Sequence, residues 1–200
     1  MAGEHMSDVG ELRRRARQHI EKGAVTSRYG LDIGTAVKLL NEALATELVC
    51  VLRYKYHYFM AKGIHAQAVQ QEFLEHAAEE QGHADQLAAR IVQLGGKPDL
   101  NPEVLARRSH AEYVEGDSIE DMIREDLVAE RIAIESYGEM IAFFGPRDTS
   151  SRRLLEQILA VEEEHAEDLV TLLETYFGPA EGKRPPPRGR EQRAAEEGRP

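Results

Sequence analysis

Glu80-Gln81-Gly82-His83 and Glu162-Glu163-Glu164-His165 are two copies of one pattern, Glu-x-x-His, each set in the middle of a long stretch with helical periodicity. At about 3.6 residues per turn, positions i and i+3 share a face, so each copy presents a carboxylate and an imidazole side by side. The apolar stripe around the first copy runs Val69, Phe73, Leu87, Ile91, Leu94, and that around the second Leu155, Ile158, Leu169, Leu172, Tyr176. The series 73, 76, 80, 83, 87 and 155, 158, 162, 165, 169 put both patterns on the apolar faces, where a core is expected.

Working outward, each copy is preceded by another periodic stretch with one inward glutamate. Glu47 precedes Glu80 by 33 residues on the stripe Ile33, Val37, Leu40, Leu44, Val51, Tyr54, Tyr58, and Glu130 precedes Glu162 by 32 on Ile119, Ile123, Ala133, Tyr137, Ile141, Phe144. The chain therefore repeats one unit twice. Punctuation bounds four helices of about 28 residues, or roughly 40 Å each. Asp32 caps the first, which stops near Gly63; the second runs from Ala66 to Leu94 and ends at Gly95-Gly96 with Pro98 beyond. Asp117 or Ser118 caps the third, closed by Gly145-Pro146; the fourth follows Thr149 and Ser150 and stops before Gly178-Pro179. Short links join helices one to two and three to four, whereas about 22 residues separate two from three, with Pro102 to Arg108 expected as a short extra helix. The expected fold is all-α, a four-helix bundle of two antiparallel hairpins with a long crossover.

Four glutamates and two histidines facing inward from the middles of four helices would each cost several kcal/mol if buried without compensation. A lone inward Glu is ordinarily explained by a nearby Arg or a helix end. The doubled pattern is not, and it calls for cations. Carboxylate with imidazole suits Fe or Mn, with Zn also accommodated, while a single Cys50 disfavours soft-metal thiolate sites.

The 200 residues carry a net charge of -11, unevenly spread. Residues 1–30 and 178–200 each hold six basic against four acidic residues, leaving 13 basic against 28 acidic between them. Such a field repels nucleic acid and concentrates cations. No window approaches the roughly 18 apolar residues needed to span a bilayer, and the basic run at Arg13, Arg14, Arg15 and Arg17 has no apolar segment after it, so a cytoplasmic, non-membrane protein is expected. Residues 1–30 read as an arm outside the core, with Glu11 to Lys22 a short basic helix, 31–177 as the bundle, and 178–200 as a disordered Pro-rich tail.

Three stretches resemble bacterioferritin, of the ferritin-like superfamily: Leu40-Asn41-Glu42-Ala43-Leu44-Ala45-Thr46-Glu47-Leu48, Gly82-His83-Ala84-Asp85 leading to Leu94-Gly95-Gly96-Lys97-Pro98-Asp99-Leu100, and Ile119 through Asp126-Leu127-Val128-Ala129-Glu130. The likeness extends over residues 33–177. It implies that Glu47, Glu80, His83, Glu130, Glu162 and His165 ligate two Fe ions per subunit, or Mn, with Glu80 and Glu162 bridging and Glu47 and Glu130 terminal. It implies ferroxidase activity with O2 or H2O2 as oxidant, self-assembly into an iron-storing or iron-detoxifying cage, and Tyr54 beside the site. Gln81 stands where bacterioferritin has its haem-ligating Met, so no haem is expected. The missing fifth helix and the longer crossover resemble the smaller cages of the DNA-binding protein from starved cells, favouring 12 subunits over 24; DNA binding is disfavoured by the acidic core. The alternative is a non-cage di-metal redox enzyme of manganese catalase or oxygenase type. His76 reads as a core or supporting residue, and Glu75 and Glu79, one turn before the ligands, as an exposed acidic face, the alternative being that they pass iron to or from the site.

Overall fold

In the computed structural model residues 6–178 are described, and among them every regular element is helical. A short α1 (Val9–Ala16) and a 3-10 turn (Ile20–Lys22) stand where one basic helix was expected; neither buries a residue. Four long helices follow: α2 (Ile33–Met60), α3 (Ala66–Gln93), α5 (Ile119–Phe144) and α6 (Thr149–Phe177). In the crossover the expected short helix is split into a 3-10 turn (Pro102–Val104) and α4 (Leu105–Arg108). The expected tail lies outside the described residues from position 179 onward.

The helix starts follow capping chemistry. Asp32 Oδ2 accepts from the Thr35 amide at 2.7 Å, and Ser118 Oγ from the Asp121 amide at 3.1 Å, which decides between Asp117 and Ser118. α6 begins earlier than its Thr-Ser pair suggests, because Asp148 supplies the cap to the Ser151 amide at 2.9 Å. The same carboxylate accepts two bonds from Arg90 of α3, at 2.9 and 3.1 Å, and one from the Tyr29 hydroxyl at 3.0 Å. The arm is thereby tied down at its end, and Val25, Tyr29 and Leu31 pack against the core. α3 terminates on Gly95, at φ +80°, with Gly96 against α2: a Cβ there would meet Val37 at 2.6 Å.

α2 pairs with α3 and α5 with α6, as two hairpins packed together. Two apolar clusters fill the bundle. One gathers Leu40, Leu44, Leu87, Ile91, Phe144 and Leu155; the other Tyr54, Val69, Phe73, Ile123 and Leu169. Each fully buried side chain of this kind contributes about 1.5–3 kcal/mol. In sequence the inward glutamates fall between the two sets on every helix, so the charged layer is held by apolar packing on both sides.

A buried ionic network fastens the crossover. Asp126 of α5 accepts from Arg53 Nε at 2.8 Å through one oxygen and contacts His57 Nδ1 at 2.8 Å through the other. Arg53 Nη1 donates on to the Glu112 carbonyl at 2.9 Å, and His57 Nε2 lies 3.1 Å from the Val114 carbonyl. Arg53, His57 and Asp126 are all 1% exposed or less. The pairing fixes α2 against α5 at the point where the long connection passes over them.

Candidate metal centre

All six inward residues meet at one place. Glu47 comes from α2, Glu80 and His83 from α3, Glu130 from α5, and Glu162 and His165 from α6, every one of them buried. Their ligand-type atoms form two overlapping groups, each lying within 4.8 Å: Glu47, Glu80, His83, Glu162, and Glu80, Glu130, Glu162, His165. Glu80 and Glu162 belong to both.

The hydrogen bonding inside this layer does not close. His83 Nδ1 faces three carboxylates at once, 2.9 Å from Glu162, 3.2 Å from Glu47 and 3.4 Å from Glu80. One N–H cannot serve three acceptors. His165 Nδ1 likewise faces Glu80 at 3.5 Å, Glu162 at 3.6 Å and Glu130 at 4.0 Å, and makes no hydrogen bond. Glu80 Oε1, Glu130 Oε2 and both oxygens of Glu162 are buried and accept no hydrogen bond of normal geometry. Buried polar atoms are ordinarily satisfied, so this many unpaired lone pairs aimed at one volume fit cations. Two carboxylate-imidazole sets sharing two glutamates fit a pair of hard or borderline divalent ions.

Electrostatics in the metal-free layer agree. Burial, followed by repulsion from Glu80, raises Glu47 well above the usual carboxylate range; burial, then Glu80 and Glu162, does the same to Glu130. Burial opposes charge on both histidines, but the surrounding carboxylates outweigh it: Glu162, Glu47 and Glu80 push His83 up to about 12, and Glu162, Glu80 and Glu130 push His165 up to about 11. Protons held by these four groups would have to leave for a metal ion to bind. Metal affinity is expected to rise with pH, with protons released on binding, measurable by titrating Zn(II) into metal-free protein in buffers of different ionisation enthalpy. For Glu47, Glu130, His83 and His165 the folded values lie above the unfolded ones, so these four groups stabilise the metal-free fold fully below pH 4.5 (Glu) and 6.5 (His) and progressively less as pH rises toward the raised values. Metal-free melting should fall over that window. A melting temperature that climbed with pH would contradict it.

The ferritin-like domain model matches residues 37–176, which span all six positions. The chain belongs to the ferritin-like domain family. It is 28% identical over 141 residues to a bacterioferritin of Rhodobacter capsulatus, covering 70% of this chain and 83% of that one. It is 29% identical over 153 residues to a DNA protection during starvation protein of Pyrococcus furiosus, covering 74% and 83%. Among solved structures it resembles the bacterioferritin-related protein of Bacteroides fragilis, described as a dodecameric thioferritin, with TM-score 0.70, 32% identity, and 72% and 88% of the two chains covered.

Around the ligand-type residues this ferritin-like chain has a supporting set that the sequence only partly discloses. Tyr54 donates from its hydroxyl to Glu130, and Tyr137 donates to Glu47. Tyr137 reads in the sequence as one more aromatic of the core stripe, with nothing to separate it from a packing residue. Glu79, read as part of an acidic surface and itself exposed, also reaches His165 Nε2 at 2.7 Å and so orients Nδ1 into the centre. The signal was its place one residue before Glu80, visible only once α3 and α6 are in register. Glu75 engages Gln71 and takes no part. Removing the carboxylate in Glu79→Ala is expected to weaken metal binding at the His165 side by about 10–100-fold, with little change in melting. An unaltered metal-binding isotherm would count against the role.

Proposed function

We propose that this chain is a ferroxidase subunit of an iron-storing or iron-detoxifying assembly. The observation that carries the reading is the pair of overlapping ligand sets sharing Glu80 and Glu162 in a buried layer of unpaired lone pairs. Glu47 and His83 would complete one metal position and Glu130 and His165 the other, with Glu80 and Glu162 common to both. Two ferrous ions held together can each give up one electron, so that O2 and two protons become H2O2, or H2O2 and two protons become two waters. Tyr54 and Tyr137 orient the terminal carboxylates. Manganese suits the same donors. Haem is not part of the proposal, because the Gln81 amide offers no thioether and is engaged with Asp85 at 3.0 Å.

Assembly is supported by an open groove on the α2 and α5 side, where Leu39, Val128, Ile132 and Phe143 lie among Arg131 and Glu135, with Val128 half exposed, and by the dodecameric relative. A particle of about 12 subunits is proposed. Light scattering at that mass supports the cage; a species of one or two chains removes it and favours the non-cage di-metal enzyme.

His83→Ala and His165→Ala are each expected to weaken one of the two metal positions and spare the other, giving biphasic binding. Anaerobic metal titration checks this. Loss of both positions together, or of neither, would contradict the assignment of one histidine to each ion.

A further inference from the structure

A separate group of ligand-type side chains converges at the edge of the centre. Glu72 and His76 lie one turn apart on α3, and Asp168 faces them from α6, with one ligand atom of each within 4.8 Å of the others. His76 Nε2 is 3.3 Å from Glu72 Oε1 and 3.8 Å from Asp168 Oδ2. His76 is 2% exposed and its Nε2 has no hydrogen-bond partner. The two carboxylates remain open on the other side, with side-chain exposures of 29% for Glu72 and 55% for Asp168.

The inner hydrogen bonds decide what Nε2 offers. Tyr54 donates its hydroxyl proton to Glu130, so its oxygen is the acceptor for His76 Nδ1 at 3.2 Å. With the ring proton on Nδ1, the buried Nε2 presents a lone pair to two carboxylates. Nothing among those three groups supplies a positive charge. We propose that Glu72, His76 and Asp168 form a third divalent-cation site, distinct from the dinuclear pair, at the solvent edge of the centre. One imidazole with two carboxylates suits Fe(II), Mn(II) or Zn(II), and the open side leaves room for water ligands.

Its position gives it a use. The His76 ring stacks on that of His165, with centroids 4.0 Å apart, so an ion bound here is one ring away from an inner ligand and still in reach of solvent. It is a staging position for a ferrous ion entering the centre. That use rests on the ferroxidase reading; cation binding by the three side chains does not.

The test is equilibrium dialysis of the full-length, metal-free protein against Co(II), which O2 does not oxidise under these conditions and whose visible bands report nitrogen and oxygen ligands. Wild type is expected to bind about three ions per chain and Glu72→Gln/Asp168→Asn about two. Both substitutions are isosteric and lie at partly exposed positions, and Asp168→Asn alone, at the more open one, should already weaken the third ion by about tenfold. Equal stoichiometry and affinity in wild type and both variants overturns the third site. Glu80→Gln/Glu162→Gln examines the dinuclear reading separately: if it binds as many ions as wild type, that reading fails, whatever the outer variants show.

Discussion

Ferrous oxidation is expected to fall by about 100-fold or more in Glu80→Gln and in Glu162→Gln, with the chain still folded and assembled. Each of these glutamates belongs to both groups of ligand-type atoms, so on the proposed reading a single substitution should disturb both metal positions, whereas a histidine change should touch one. The two residues are buried, at 1% and 0% exposure, with unpaired oxygens in the metal-free protein. An amide keeps the volume, removes a charge from a layer crowded with carboxylates, and supplies N–H donors to neighbours that lack them. Metal-free melting should therefore hold or rise while activity collapses. Activity and melting that fell together would indicate a structural role instead.

The second large effect is on stability alone. Asp126→Ala leaves the Arg53 guanidinium and the His57 imidazole buried without their shared acceptor. Removing one partner of a buried ion pair costs about 3–5 kcal/mol, because the remaining charge is stranded. For a chain of this size that corresponds to a melting shift on the order of 10 °C. Asp126, Arg53 and His57 belong to neither ligand group, and Glu130 of the same helix lies one turn further along, so metal stoichiometry in the folded fraction should be unchanged. Replacing Arg53 and Asp126 together, as in Arg53→Met/Asp126→Leu, is expected to recover part of the loss, since the guanidinium is then gone while His57 Nδ1 still lacks its acceptor and His57 keeps only the Val114 carbonyl. Melting of Asp126→Ala within a degree or two of wild type would contradict the account of how the crossover is held.

The four long helices are legible because their signals are redundant: apolar stripes of period 3.6, glycine stops at Gly95 and Gly145, and side-chain caps at Asp32 and Ser118 agree with one another. The start of α6 is less so, since Thr149, Ser150 and Asp148 are all good caps by type, and the aspartate that caps the helix is the one also held by Arg90 and Tyr29. The six converging side chains can be read from the doubled spacing, because each breaks an apolar stripe. Asp126 breaks its stripe too, but its partners Arg53 and His57 come from α2 and could not be assigned without the packing. Tyr137 and Glu79 are silent for the opposite reason: one conforms to the core pattern and the other to the surface pattern. In the Glu72, His76, Asp168 group the first two share a face of α3 by their i,i+4 spacing, but Asp168 joins them only because α3 and α6 lie in register.

The most direct test of the dinuclear claim is the amplitude of the fast phase when Fe(II) is added to metal-free protein in the presence of O2 or H2O2. The account predicts a break at about two Fe(II) oxidised per chain, abolished in Glu80→Gln and Glu162→Gln. Oxidation without such a break, at a rate indifferent to both substitutions, would contradict it.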